Sequence, residues 1–230
     1  MIHRRLGQTT RDATMKVGVL GSGDVGKRLA GGFASRGHEV VVGTRTPRNP
    51  ELTKWASTVQ GKVAIGSFAD TARQAQLVVL AIHGDAALAV LDAAGKANLA
   101  GKVLIDVTNP LDFSKGMPPS LFVGTTDSLA ERIQKAVPLA KVVKAFNTVG
   151  NGQMVDPHVK GQPRLEMLIA GNDAAAKGQV TEIVKSFGWA GTIDFGGIDG
   201  ARWLEAMVPL WVRVGSALNT FAHVWVVARD

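Results

Sequence analysis

Six residues, Gly21-Ser22-Gly23-Asp24-Val25-Gly26, constrain this chain more than any other stretch. They follow a short β-branched run, Val17 to Leu20, and open a stretch of helical periodicity from about Val25 to Ser35 that Gly37 closes. In a G-x-G-x-x-G between a strand and a helix, the first glycine permits a tight turn and the second lets a pyrophosphate approach the backbone. The third lets the helix pack closely on the strand. The helix N-terminus behind the loop offers unpaired N–H groups and partial positive charge to phosphate. The sequence therefore predicts Gly21 to Gly26 as a phosphate cradle in a parallel α/β sheet.

The rest of the chain keeps to that rhythm. Strand two is expected over Glu39 to Val42, a weaker strand over Lys62 to Ile65, a helix over Phe68 to Gln74 and a strong apolar run from Leu77 to Ile82. A second half follows with a helix over Asp85 to Ala94, a strand over Val103 to Val107, a helix over Ser128 to Ala136 and a strand over Val142 to Ala145. Next come a strand over Leu165 to Ala170, a helix over Ala174 to Phe187 and a short strand over Thr192 to Phe195. Strands alternating with helices predict a Rossmann-type, doubly wound, mostly parallel sheet. Residues 15–200 are assigned to this dinucleotide-binding domain. Residues 1–14 read as a frayed extension with no apolar core of a signal peptide, and Met15 could serve as an alternative start. Residues 201–230 read as a C-terminal helical segment. Its apolar positions Leu204, Met207, Trp211, Gly215, Leu218, Ala222 and Trp225 are mostly three or four apart, which predicts one helix over Ala201 to Ala228. Pro209, Arg213, Asn219 and His223 break the run short of the roughly 20 apolar residues a membrane span needs. A buried helix or a homodimer interface is expected, in a cytoplasmic protein.

Composition narrows the chemistry. The chain has no cysteine, so disulfides, thiolate nucleophiles and Cys-ligated metals are excluded, and it has no tyrosine, so the Tyr-Lys proton donor of short-chain dehydrogenases is excluded too. The five histidines, His3, His38, His83, His158 and His223, show no metal-ligand spacing, and no metal is expected. With 26 Lys and Arg against 19 Asp and Glu the net charge is +7, which favours anionic partners. No basic run interleaved with aromatics points to nucleic acid, so a phosphate-rich small molecule accounts for the sign.

Nucleotide choice is read at the end of strand two. An NAD site places a carboxylate there for the ribose hydroxyls. This chain has Gly43-Thr44-Arg45 instead, with Arg48 close behind. Without the carboxylate a 2′-phosphate is not repelled; Arg45 offers it a planar charged donor, Thr44 a hydroxyl and Arg48 a second positive contact. NADP(H) is the predicted cofactor.

Three more segments follow strands at the edge where ligands bind in open α/β sheets: Ala81-Ile82-His83-Gly84, Asp106-Val107-Thr108-Asn109-Pro110-Leu111 and Lys144-Ala145-Phe146-Asn147-Thr148-Val149. Together with the glycine loop and Gly43-Thr44-Arg45, they resemble the deazaflavin-dependent NADP oxidoreductases, and the NADPH-binding domain of the STEAP metalloreductases looks related. The resemblance runs from about Met15 to Arg213. It implies hydride transfer between NADP(H) and the deazaflavin coenzyme F420, and a dimer in which the C-terminal region helps to shape the second-cofactor site. It also implies that Ile82 and His83, Asn109 and Pro110, and Ala145, Phe146 and Asn147 lie near the nicotinamide. Gly197-Ile198-Asp199-Gly200 with Ala201-Arg202 would border the second cofactor. One departure is His83, where family members often carry proline. It could donate to substrate, act as a general acid or satisfy a local carbonyl, and the last is the simpler expectation. Asn147 could hold the nicotinamide carboxamide or close its turn. Asn109 before Pro110 reads as a rigid turn.

The expected activity is hydride transfer between NADPH and a small-molecule redox partner, a deazaflavin or a flavin. Reduction of a small carbonyl or imine is the alternative within enzymes, and a non-catalytic NADP(H)-sensing module is the alternative outside them.

Overall fold

The computed structural model describes residues 14–161 and 164–229. The extension expected over residues 1–14 lies outside them except for Thr14. The first half alternates as β1 (Lys16–Leu20), α1 (Asp24–Ser35), β2 (Glu39–Gly43), α2 (Pro50–Thr58), β3 (Lys62–Gly66), α3 (Phe68–Gln74) and β4 (Leu77–Leu80). It continues with α4 (Ala87–Ala94), α5 (Lys96–Leu99), β5 (Val103–Asp106), a small hairpin of β6 (Leu111–Asp112) and β7 (Ser120–Leu121), α6 (Leu129–Ala136) and β8 (Lys141–Lys144). The chain then forms β9 (Glu166–Gly171), α7 (Ala174–Ser186), β10 (Gly191–Asp194) and α8 (Ala201–Leu218).

Six strands run parallel in the spatial order β3-β2-β1-β4-β5-β8, the arrangement of a doubly wound, Rossmann-type sheet. Their apolar runs are nearly continuous because helices cover both faces; β4 and β5 are buried along their whole length. On one face, Leu29, Ala30 and Phe33 of α1 meet Val180 and Val184 of α7 and Phe187 just beyond it, with Phe33 and Phe187 edge-on at 4.9 Å. On the other face, α3 to α6 and the start of α8 bury Ala72, Leu91, Leu99, Leu129, Ile133 and Leu204.

The last two strands reverse direction. β9 pairs antiparallel with β8, Val143 opposite Gly171, and β10 runs parallel to β9. Among the described residues, the connection over 145–165 holds a short turn of 3₁₀ helix at Asn151–Gln153 and none of the crossover helix that usually accompanies a parallel return.

Three elements exceed the sequence expectation. α2 is signalled by an Asn49 cap that accepts from the Glu51 and Leu52 amides, with Pro50 in the first turn. α5 and the β6–β7 hairpin are too short for periodicity to show. The C-terminal helix, expected to reach Ala228, ends at Leu218. Asn219 takes the left-handed conformation with φ of 51°, and Thr220 N bonds back to Gly215 O at 3.0 Å, so the helix is capped and the chain turns back. Phe221 and His223 then pack against Trp211, His223 stacked on it at 4.6 Å. The apolar spacing continued past Asn219 because these residues cover the helix they seemed to extend. Among the described residues no helix is long and apolar enough to cross a membrane.

Candidate active site

The glycine loop sits where strand ends converge, and its glycines divide into two kinds. Gly21 has φ of +127°, and a Cβ there would lie 2.1 Å from Ala81 O; a Cβ on Gly26 would lie 2.2 Å from Gly21 O. Both are required by the protein itself. Gly23 is different: its φ of −74° suits any residue and a Cβ would meet nothing within 4 Å. A glycine with free space in front of it, at the start of a helix, leaves room for something that is not protein. The helix it opens, α1, has no side-chain cap, a feature it shares with α4, α5 and α8. These two observations fit a bound pyrophosphate.

At the end of β2, Thr44 is buried and its Oγ1 accepts from Ser22 Oγ at 3.3 Å and from Thr46 N at 3.4 Å, tying the β2 end to the glycine loop. Arg45 and Arg48 are exposed and make no ion pair among the described residues. An open depression of about 850 Å³ beside them is lined by residues 46–51, Arg48 included. Thr44 is thus joined to Ser22 of the loop, Arg48 lines the depression that follows it, and neither the Arg45 nor the Arg48 guanidinium has a partner among the described residues.

The turns on the other side pack backbone to backbone. A Cβ on Gly84 would lie 2.1 Å from Asn109 O, so the turn after β4 rests directly on the turn after β5. Ile82 is half-buried against the core, and Pro110 is buried with its carbonyl accepting from Phe122 N. His83 is exposed, and its ring makes no hydrogen bond among the described residues. The simpler expectation, a ring satisfying a local carbonyl, has no such bond to support it among the described residues.

Asn109 and Asn147 bond reciprocally. Asn109 Nδ2 donates to Asn147 O at 2.9 Å, while Asn147 Nδ2 donates to Asn109 Oδ1 at 3.0 Å and to Leu204 O at 2.9 Å. Two acceptors on Nδ2 fix the orientation of the Asn147 amide. The Asn147 Nδ2 group thus closes its turn, while Oδ1 is buried and left without a partner among the described residues. The neighbouring Ala145 and Phe146 are placed in the core rather than the cleft: Phe146 is 1% exposed, with its ring 6.0 Å from that of Phe187. What Phe146 gives the site is a left-handed backbone, φ of 63°, that turns the chain at the strand end.

Directly beneath these turns lies a cluster that sequence reasoning missed. Lys144, the last residue of β8, is fully buried and spends its three protons on Asp106 Oδ2 at 2.9 Å, Thr108 O at 2.6 Å and Glu205 Oε1 at 2.7 Å. Asp106, the last residue of β5, also accepts from Thr108 N and Oγ1 through Oδ1. Glu205 of α8 accepts from the Leu129 and Ala130 amides, the first two of α6. Burial pulls the Lys144 pKa down, but the Asp106 and Glu205 carboxylates outweigh it, and the net direction is upward. Burial pushes the Glu205 carboxyl up, with Lys144 opposing and Asp106 adding to the rise. The available signal was a lone glutamate in an otherwise apolar stretch of the tail.

The segment Gly197 to Arg202 is tied elsewhere. Ile198 N donates to Asn172 Oδ1 at 2.9 Å, and Arg202 forms a two-bond pair with Glu131, holding that carboxyl below the ordinary glutamate range. None of its hydrogen bonds among the described residues reaches the turns of the cleft. No group of metal-ligating side chains occurs among the described residues.

Known proteins share this arrangement. The sequence model of the family described as "NADP oxidoreductase coenzyme F420-dependent" matches residues 16–110. The F420-dependent NADP reductase of Methanothermobacter marburgensis is 30% identical over 209 residues, which cover 87% of this chain and 92% of that protein. Metalloreductase STEAP3 of Rattus norvegicus is 28% identical over 85% of this chain but only 38% of its own length. A solved structure from Arthrobacter sp. FB24, provisionally named an F420-dependent NADP-reductase, superposes with a TM-score of 0.89 at 46% identity, covering 94% of this chain and 100% of its own. An imine reductase of Streptomyces aurantiacus shares the fold, with a TM-score of 0.60 at 19% identity. Fold and relatives together define an NADP-dependent oxidoreductase. Within that class, this chain belongs to the F420-dependent NADP reductase family.

The two kinds of glycine give opposite expectations. Gly21→Ala should cost more than about 2 kcal/mol in a denaturant melt, because it combines a backbone clash with a disfavoured φ. Gly23→Val should keep the fold, losing at most about 1 kcal/mol, and yet abolish NADPH binding in a fluorescence titration. A Gly23→Val protein that binds NADPH as tightly as the wild type would reduce the loop to a turn.

Proposed function

We propose that this chain transfers hydride between NADP(H) and coenzyme F420 or a flavin. The carrying observation is the pairing of an open position at Gly23 with Thr44 and with two arginines, Arg45 and Arg48, whose guanidinium groups have no partner among the described residues. In this reading the amides of the α1 N-terminus hold the pyrophosphate, and Arg45 and Arg48 with Thr44 hold the 2′-phosphate. The turns at Ile82–His83, Asn109–Pro110 and Ala145–Asn147 receive the nicotinamide half. NADP(H) supplies the hydride chemistry. The protein's part is to bind and orient, and to exclude water with turns that pack closely on one another. His83 is the one free titratable side chain on those turns, available to hydrogen-bond an acceptor.

The names of the relatives favour coenzyme F420 as the partner: the Methanothermobacter protein, which this chain matches over nearly its whole length, is an F420-dependent NADP reductase. Carbonyl or imine reduction finds less support, since the likeness to imine reductases lies in the fold and this chain spans 63% of the Streptomyces enzyme's length. Stopped-flow mixing of NADPH with enzyme and either deazaflavin or FMN separates the readings. Deazaflavin should be reduced at the rate NADPH disappears; turnover with neither acceptor would sink the proposal. In the same assay, Arg45→Ala should weaken NADPH binding by about 1.5–3 kcal/mol, the range of a charge-assisted contact, and leave NADH nearly unchanged. Equal loss for both nucleotides would refute the assignment of Arg45.

A homodimer belongs to this proposal. Trp203, Leu210 and Leu218 on α8 are 57%, 57% and 60% exposed, and half-exposed Met207 and Val214 lie between them at helical spacing. Such a stripe is an apolar contact surface, and a twofold pair would bury it against its own copy. Leu218→Glu should shift sedimentation from dimer to monomer at micromolar concentration. A wild type that already sediments as a monomer would remove the dimer.

A further inference from the structure

The start of α8 is bonded directly to Asn147 in the turn after β8 and, through Lys144, to Thr108 in the turn after β5, and the bonds close into a ring. Glu205 accepts from Lys144, and Lys144 donates to Thr108 O. The next residue, Asn109, bonds both ways to Asn147. Asn147 returns to Leu204 O, one peptide from Glu205. Every member except Asn109 is buried, and Lys144 has no proton left over. Lys144 and Asp106 are also register partners at the ends of neighbouring strands, so the ring spans the gap from which the two turns diverge.

Stability alone does not call for charge at this place. A buried ion pair or triad can commonly be replaced by apolar side chains of similar volume with no loss, because desolvation offsets the Coulomb gain. What an ammonium with three directed bonds supplies is a set of fixed distances. We propose that Lys144 and Glu205 are positioning residues: through Thr108, Asn109 and Asn147 they set the spacing of the turns after β5 and β8, and so make the grip on the nicotinamide half of the dinucleotide depend on α8. The proposal rests on the reading that these turns receive that half.

The test cuts the ring from either side. Glu205→Gln leaves Lys144 with Asp106 as a neutral pair and preserves volume. Lys144→Met with Asp106→Asn removes the other side and leaves Glu205 on the α6 amides. Each is titrated with NADPH and with 2′,5′-ADP, which carries the 2′-phosphate and adenine but no nicotinamide. Both variants should bind 2′,5′-ADP within about twofold of the wild type and NADPH about tenfold more weakly, a split that a general loss of structure would not produce. Equal weakening of both ligands, or of neither, overturns the proposal, as does failure of both variants to fold, which would make the ring a stability element. A wild type that binds neither ligand would instead overturn the cofactor reading beneath it.

Discussion

An ammonium group sealed away from water needs three acceptors, and few places inside a protein can offer them at one point. Lys144 finds them where two parallel strands end side by side, and each acceptor comes from a different piece of chain: a strand end, a turn carbonyl and a helix side chain. The desolvation cost of that ammonium is large, so an arrangement that left it short of an acceptor would lose several kcal/mol, on the order of 3–5. The site's geometry follows from this. The turn after β5 cannot shift without leaving a proton unpaired, and α8 cannot slide without stripping a carboxylate from both the lysine and the α6 amides.

The two halves of the cleft are built on different physics. Beyond the end of β2 the chain presents exposed guanidinium groups, whose attraction for anions acts through solvent and tolerates movement. On the opposite side, contacts are between backbones: Gly84 rests on the Asn109 carbonyl and Gly21 on that of Ala81, at separations that admit no Cβ. An electrostatic half that captures and a close-packed half that orients suit a reaction in which two rings must meet at a fixed distance.

Much of this could be read from residue order, because the relevant signals are local. The glycine loop, Thr44 and Arg45 sit within a few residues of elements that periodicity identifies, and Thr44 Oγ1 accepts from Ser22 of that loop. The misses share a cause. Glu205 is 61 residues from Lys144 and 75 from Ala130, and nothing near it in sequence announces a charged partner. Phe146 sits within a motif and yet points away from the cleft, since its side chain belongs to an aromatic cluster completed by Phe33 and Phe187. The tail misled for another reason: period alone cannot tell a continuing helix from a chain that doubles back onto the same helix, and the decisive residue is Asn219, one of the few types that take a left-handed cap.

That doubling back has a temporal side. Phe221 O lies against Gly150, in the loop after β8, and Arg229 pairs with Glu166 at the start of β9. A nascent chain emerging at roughly 5–20 residues per second can complete the six parallel strands well before either contact exists. The segment that follows β8 must then wait, already synthesised and next to the cleft, until some 70 residues later its cover is made. Gly150 is therefore covered by a segment made long after it, so this contact is among the last the growing chain can form.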